Sequence, residues 1–320
     1  MKKLLAILSM TVGVAALAAP GQAADAAFDP GCYLAGDVSL GYLMDWQNVK
    51  LSDEEDSITG EPDWSALFGE GRGLVSCHGF NVQGDFSIYN HETEIDAGKE
   101  SFNLSPEASH YGGALFWRDP NVGLFGVSGS IVKSDVLFLK DMDYVRIGAV
   151  GQYFVNDQLT FGASAHYLNG DVDLKNIDHE GFELAANAKY YVMPNFSLDL
   201  SGHAMISTLS GGGEEIDFNG WAAQLQAEYV AMEQGLSVFG GVRYANRTID
   251  DVAMGGDAEI ADTQAYIGIK FAFGGDGSSL TTRDRTGPID NTSLFLEKLP
   301  GVFDSVVAGA ADAEIGGSIP

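Results

Sequence analysis

Residues 262–273 read DTQAYIGIKFAF, with Ala265, Ile267, Ile269, Phe271 and Phe273 on one face of a strand and Gln264, Tyr266, Gly268 and Lys270 on the other. A period of two sustained over twelve residues is a strand signal, and a helix would need apolar residues three and four apart. The run closes on an aromatic, Phe273.

The same alternation recurs upstream between very short connections: Asp119-Pro120-Asn121, Asn156-Asp157-Gln158, Pro194-Asn195 and Met232-Glu233-Gln234-Gly235. Asn, Asp, Pro and Gly in two to four positions between alternating runs are hairpin-turn chemistry. The connections that follow each hairpin, 169–180, 209–217 and 248–261, are longer and polar. Taken together, these signals predict twelve strands at 32–46, 66–76, 80–90, 110–118, 124–133, 144–155, 159–168, 182–192, 196–207, 221–231, 236–246 and 262–273. Most have about 9–12 residues, the length that a tilted strand needs to cross a bilayer.

Strand length, alternating short turns and long loops, and the terminal aromatic resemble the bacterial outer-membrane β-barrel family, porins included. The resemblance implies an all-β fold, a closed antiparallel transmembrane barrel over 32–273. It also implies short turns facing the periplasm and a last strand read by the barrel-insertion machinery. Most members of the family stop at the terminal aromatic, whereas 47 residues follow Phe273 here.

The ends of the chain fit that address. Lys2 and Lys3, the apolar run 4–19 and Gly21-Gln22-Ala23 form the three regions of a secretory signal peptide, residues 1–23. A short periplasmic segment, 24–31, is expected before the first strand. Beyond residue 23 no run of eighteen apolar residues offers a spanning helix, so a membrane location requires a closed barrel.

The two faces of the predicted strands differ. Trp117, Phe125, Tyr153, Phe161, Tyr190, Phe196, Tyr229 and Phe273 fall beside the short turns, and Tyr111, Tyr167, Phe182, Trp221 and Tyr244 at the opposite ends of the same faces. Two aromatic rows bounding a band of Ala, Leu, Val and Gly resemble membrane girdles. On the other face stand six acids, Asp37, Glu70, Asp85, Glu183, Asp199 and Glu228, and six bases, Arg72, Arg118, Arg146, Lys189, Arg243 and Lys270. These twelve are the expected lumen-lining residues. They serve either as the field of an open pore or as an ion-pair network in a closed lumen. Twelve strands enclose less room than the sixteen or eighteen of general porins, so a narrow passage is the most that is expected.

The net charge of -28 repels phosphate, which excludes nucleic acid as a partner. Much of the acid lies in loops, where it either attracts divalent cations beside lipopolysaccharide or simply solubilises them. Cys32 opens the first strand and Cys77 lies in the turn after the second; both map to the periplasmic end. An oxidising compartment and an even count favour a disulfide over two free thiols.

No nucleophile elbow, His-Glu-x-x-His site or phosphate loop is present, and none of the six histidines begins a phospholipase-type His-x-Ser-Asn-Gly run. His91 and His179 lie in acidic loops as solvated residues would. No enzyme, metal or cofactor is therefore expected. Residues 274–320 read as a flexible periplasmic tail with a short helix near 293–299. Its alternatives are a plug folded into the lumen and a partner-binding segment that uses Leu294, Phe295, Leu299 and Phe303. The functional expectation is a porin-like channel for passive diffusion of small hydrophilic solutes or ions, in contact with outer-membrane lipid and lipopolysaccharide. A non-conducting structural or interaction barrel is the alternative.

Overall fold

The computed structural model describes residues 31–52, 57–97, 100–136, 139–172, 177–211, 214–232, 235–252, 256–274, 279–301 and 306. The expected signal peptide, most of the segment 24–31, the linker at 275–278, Phe303 and residues 307–320 lie outside the described residues.

Twelve long strands form the wall: β1 (Cys32–Ser52), β3 (Asp63–Cys77), β4 (Phe80–Ala97), β6 (Glu107–Asp119), β7 (Gly123–Val136), β8 (Leu139–Asn156), β9 (Leu159–Val172), β10 (Ile177–Met193), β11 (Phe196–Gly211), β12 (Glu214–Val230), β13 (Leu236–Val252) and β14 (Gly256–Gly274). Each pairs antiparallel with the next, and β14 pairs with β1 from Ala35↔Gly274 to Ser52↔Asp257, so the sheet is a closed barrel. Two short strands, β2 (Ser57–Gly60) and β5 (Glu100–Leu104), extend the loop ends of β1 and β4. The wall strands have 13 to 21 residues and so outrun the 9–12 expected from sequence. The polar stretches read as loops continue the hairpins past the apolar band, because backbone pairing satisfies their amides as well as water does.

The register gives the barrel its dimensions. Followed through the paired residues, Asp37 leads to Arg72, Asp85, Gly112, Ser130, Arg146, Leu168, Gly181, Ser207, Phe218, Ile249 and Ala258, and returns to β1 at Leu51, fourteen residues above its start. Twelve strands with that stagger, at about 3.3 Å rise and about 4.8 Å spacing, tilt by about 39° around a cylinder of about 12 Å radius. The same geometry assigns every wall residue a height. Phe80, Trp117, Phe125, Tyr153, Phe161, Tyr190 and Tyr229 fall within about 7 Å of one another. Tyr111, Tyr167, Phe182, Trp221 and Tyr244 average about 20 Å higher. All twelve are exposed on the outer face, whereas Phe196 and Phe273 are half-buried there.

The short turns have local causes. Asp119 accepts from the Asn121 amide at 2.9 Å and Asn156 from the Gln158 amide at 2.8 Å, each side chain standing in for a backbone turn bond. At the two-residue turn after β3 both His78 (φ 52°) and Gly79 (φ 84°) are left-handed, the conformation that matches strand twist. Beside it Cys32 and Cys77, directly opposed in register, are joined by a disulfide with Cα atoms 4.1 Å apart.

After β14 the chain departs from the expected flexible periplasmic tail. Gly274 turns it at φ +67°, where a Cβ would lie 2.0 Å from the Leu34 carbonyl oxygen. Residues 279–301 then run inside the barrel, with a helix α1 (Leu280–Thr286) and a π-helical turn (Leu294–Lys298) at the place where a short helix was expected. The physical reason lies on the inner wall. Its loop-side half carries Val132, Leu168, Met205, Phe218, Ile249 and Ile260, which in an empty barrel would face water. Here Leu294, Phe295, Leu296, Leu299 and Val306 bury them. Among the described residues no helix is long and apolar enough to cross a membrane.

Candidate functional site: the lumen and its plug

All twelve expected lumen residues lie on the inner wall. Lys189, Asp199, Glu228, Lys270, Asp37, Arg72 and Asp85 come from β10, β11, β12, β14, β1, β3 and β4, and the register places them within about 6 Å of one height. They form a charged arc in which acids and bases are interspersed. Arg72 contacts Asp37 at 2.9 Å, Lys270 contacts Glu228 at 2.5 Å across the intervening β13, and higher up Arg146 contacts Glu183 at 3.0 Å across β9. An apolar cluster lies at the same level: Leu74, Ala114, Phe116, Leu124 and Val150 pack with Ile289 of the inner segment.

Between the charged arc and that segment lies a cavity of about 300 Å³. Ten of the twelve border it, with Asn187, Gln224 and Gln226 between them and Asp284, Asp290 and Lys298 from the inner segment. Asp85 and Arg118 do not; Arg118 holds the plug directly and Asp85 backs His110, which faces Glu297. Arg118 donates to the Gly287 carbonyl at 2.7 Å, and Asp85 faces Nε2 of His110 at 2.5 Å.

The inner segment is held mostly through its backbone. Gln83 both donates to the Ile289 carbonyl and accepts from the Ile289 amide at 2.8 Å, and Arg146 donates to the Asn291 carbonyl at 2.8 Å. Gln264 donates to the Lys298 carbonyl at 3.1 Å and Arg247 to the Pro300 carbonyl at 2.8 Å. Lys189 pairs with Asp284. Wall donors matched to plug carbonyls in this way satisfy groups that would otherwise be buried unpaired.

The tightest side-chain anchor is Glu297, which is fully buried. Its carboxylate takes a bond from Ser87 Oγ at 2.6 Å and from the Ser293 amide at 2.9 Å, and it faces Nδ1 of His110 at 2.8 Å. Both ring nitrogens of His110 thus meet carboxylate oxygens, an arrangement in which both donate only as an imidazolium. These contacts offset the burial of the Glu297 charge. Lys298 of the same segment lies 3.5 Å from Asp290.

Sequence reasoning missed Arg247, Asp262, Gln47 and Asp45 on the wall, and Glu297, Asp284, Asp290 and Lys298 on the plug. Arg247 and Asp262 are fully buried and doubly bonded at 2.9 Å, with Gln47 donating to Asp262 at 2.6 Å and Trp64 to Gln47 at 3.1 Å. Arg247 continues the inward parity of Arg243 one step past the expected strand end; that parity was the signal available.

No family model matches the chain, and no curated protein matches it. Solved structures of similar fold are bacterial outer-membrane barrels. An outer-membrane channel from Pseudomonas putida F1 is 9% identical, with a TM-score of 0.52 over 77% of this chain and 97% of that one. A FadL homologue of Pseudomonas aeruginosa is 10% identical, with a TM-score of 0.46 over 75% and 90%. The chain has the fold of a bacterial outer-membrane β-barrel.

Proposed function

We propose that the protein is an outer-membrane channel for small hydrophilic solutes or ions, closed in this state by its own residues 279–301. The observation that carries the reading is the cavity beside the plug, bordered by ten charged wall residues of both signs. A barrel that only held its wall together would gain from filling that space, because unfilled volume forfeits contacts. Charged walls that keep room for water are what a selective pathway uses. On this reading the apolar outer band and its aromatic rows face lipid, lipopolysaccharide and divalent cations sit beside the acidic loops, and barrel-insertion machinery acts on β14; the exposed outer aromatics support it. The reading assigns the chain no catalytic step.

The test is planar-bilayer conductance of the mature chain beside a version ending at Gly274, with barrel folding of both checked by circular dichroism. Steps in the shortened chain and few or none in the full chain are expected. Two folded but silent barrels would refute the channel and favour a structural or interaction barrel.

A further inference from the structure

The plug has a direction. Leu280 donates its amide to the Pro194 carbonyl in a short turn at 2.8 Å, and Tyr33, near the start of β1, donates to the Thr286 carbonyl at 3.0 Å. From there the wall partners of the plug climb overall toward the loop end, though not at every step. On the height scale set by the register, Tyr33 lies about 10 Å below Asp37, and Gln83, the partner of Ile289, is about level with it. Ser87 and His110, the partners of Glu297, lie about 11 and 14 Å above. Gln264, bonded to Lys298, lies about 18 Å above, and Arg247, bonded to Pro300, about 25 Å above. Val306 still belongs to the apolar cluster of the loop-side half, with Phe218, Ile249 and Ile260. The segment therefore does not dip into the lumen and return. It enters at the short-turn end and rises through the full height of the apolar band.

We infer that the barrel conducts its own chain to the loop-bearing side of the membrane, so that the polypeptide after residue 306 is displayed outside the cell although the last strand ends at the periplasm. This goes beyond the channel reading but rests on its membrane setting and sidedness. It also changes how such a channel opens. Withdrawal toward the periplasm would drag the chain beyond Pro300 back through a lumen of about 12 Å backbone radius, whereas release toward the loops would not.

Accessibility of single cysteines on intact cells tests the inference. Cys32 and Cys77 are bonded to each other, so a new cysteine is the reactive thiol. Asp312→Cys and Ser318→Cys each report on the following chain, Glu215→Cys marks the loop side, and Asn121→Cys marks a short turn. With a membrane-impermeant maleimide, both tail variants are expected to label as fully as Glu215→Cys and at least ten-fold more than Asn121→Cys. Tail variants that label only once the outer membrane is permeabilised, as Asn121→Cys does, would overturn the inference and leave the channel reading standing. If Glu215→Cys and Asn121→Cys label alike, the membrane sidedness fails and the inference falls with it.

Discussion

Replacing Glu297 by alanine removes the most deeply buried anchor of the plug without touching the wall. The carboxylate takes bonds from Ser87 and Ser293 and faces His110, all within 2.9 Å. Hydrogen bonds to a charged group are worth about 1.5–3 kcal/mol each, and breaking one side of a buried pair costs about 3–5 kcal/mol because the partner stays buried. We take about 3–5 kcal/mol as the loss of docking free energy. That is roughly a hundred- to several-thousand-fold rise in the undocked fraction. Hydrogen exchange read by mass spectrometry on the full chain reports this directly. Peptides spanning residues 289–299 should exchange about a hundred-fold faster or more in Glu297→Ala, while strand peptides around Gly113 keep their protection. A change below about three-fold would refute the anchor, and equal acceleration of strand and plug would refute the plug as a separately opening unit.

Phe295→Ala empties part of the apolar cluster and should weaken docking by about 3–5 kcal/mol, read as faster exchange of residues 289–299 with the strands unchanged. Reducing the Cys32–Cys77 bond, which closes 45 residues of chain, should cost up to about 4 kcal/mol and lower the urea midpoint of the barrel. In the chain ending at Gly274, Lys270→Ala leaves Glu228 unpaired at the waist and should shift the reversal potential toward cations; an unmoved potential would take the charged arc out of the conduction path.

The wall was legible in the sequence because its grammar is local. A period of two with Asn, Asp and Gly at the reversals assigns a face to Asp37 or Trp117 without knowledge of any partner. The pairing of Asp37 with Arg72 on the neighbouring strand was legible, but Lys270 reaches past β13 to Glu228 and Arg146 past β9 to Glu183, distances set by stagger and not by spacing in the chain. The plug was legible least of all. Residues 293–299 are apolar but short, and their binding site is assembled from partners about two hundred positions upstream, such as Gln83 for Ile289 and His110 for Glu297. Inward Val132, Leu168 and Met205 were the clue: apolar residues on both faces at the loop ends need a filler on the inside.

The seam between β1 and β14 also imposes an order of events. Residues 279–301 follow the strand that closes the barrel, and the ring around them is complete only once Ala35–Ser52 has paired with residues 257–274. A closed but unplugged barrel should therefore precede the docked one on refolding into lipid. Conductance or a dye-accessible lumen should appear early and then decay as the tail threads, at a rate that leaves the circular dichroism of the finished strands unchanged.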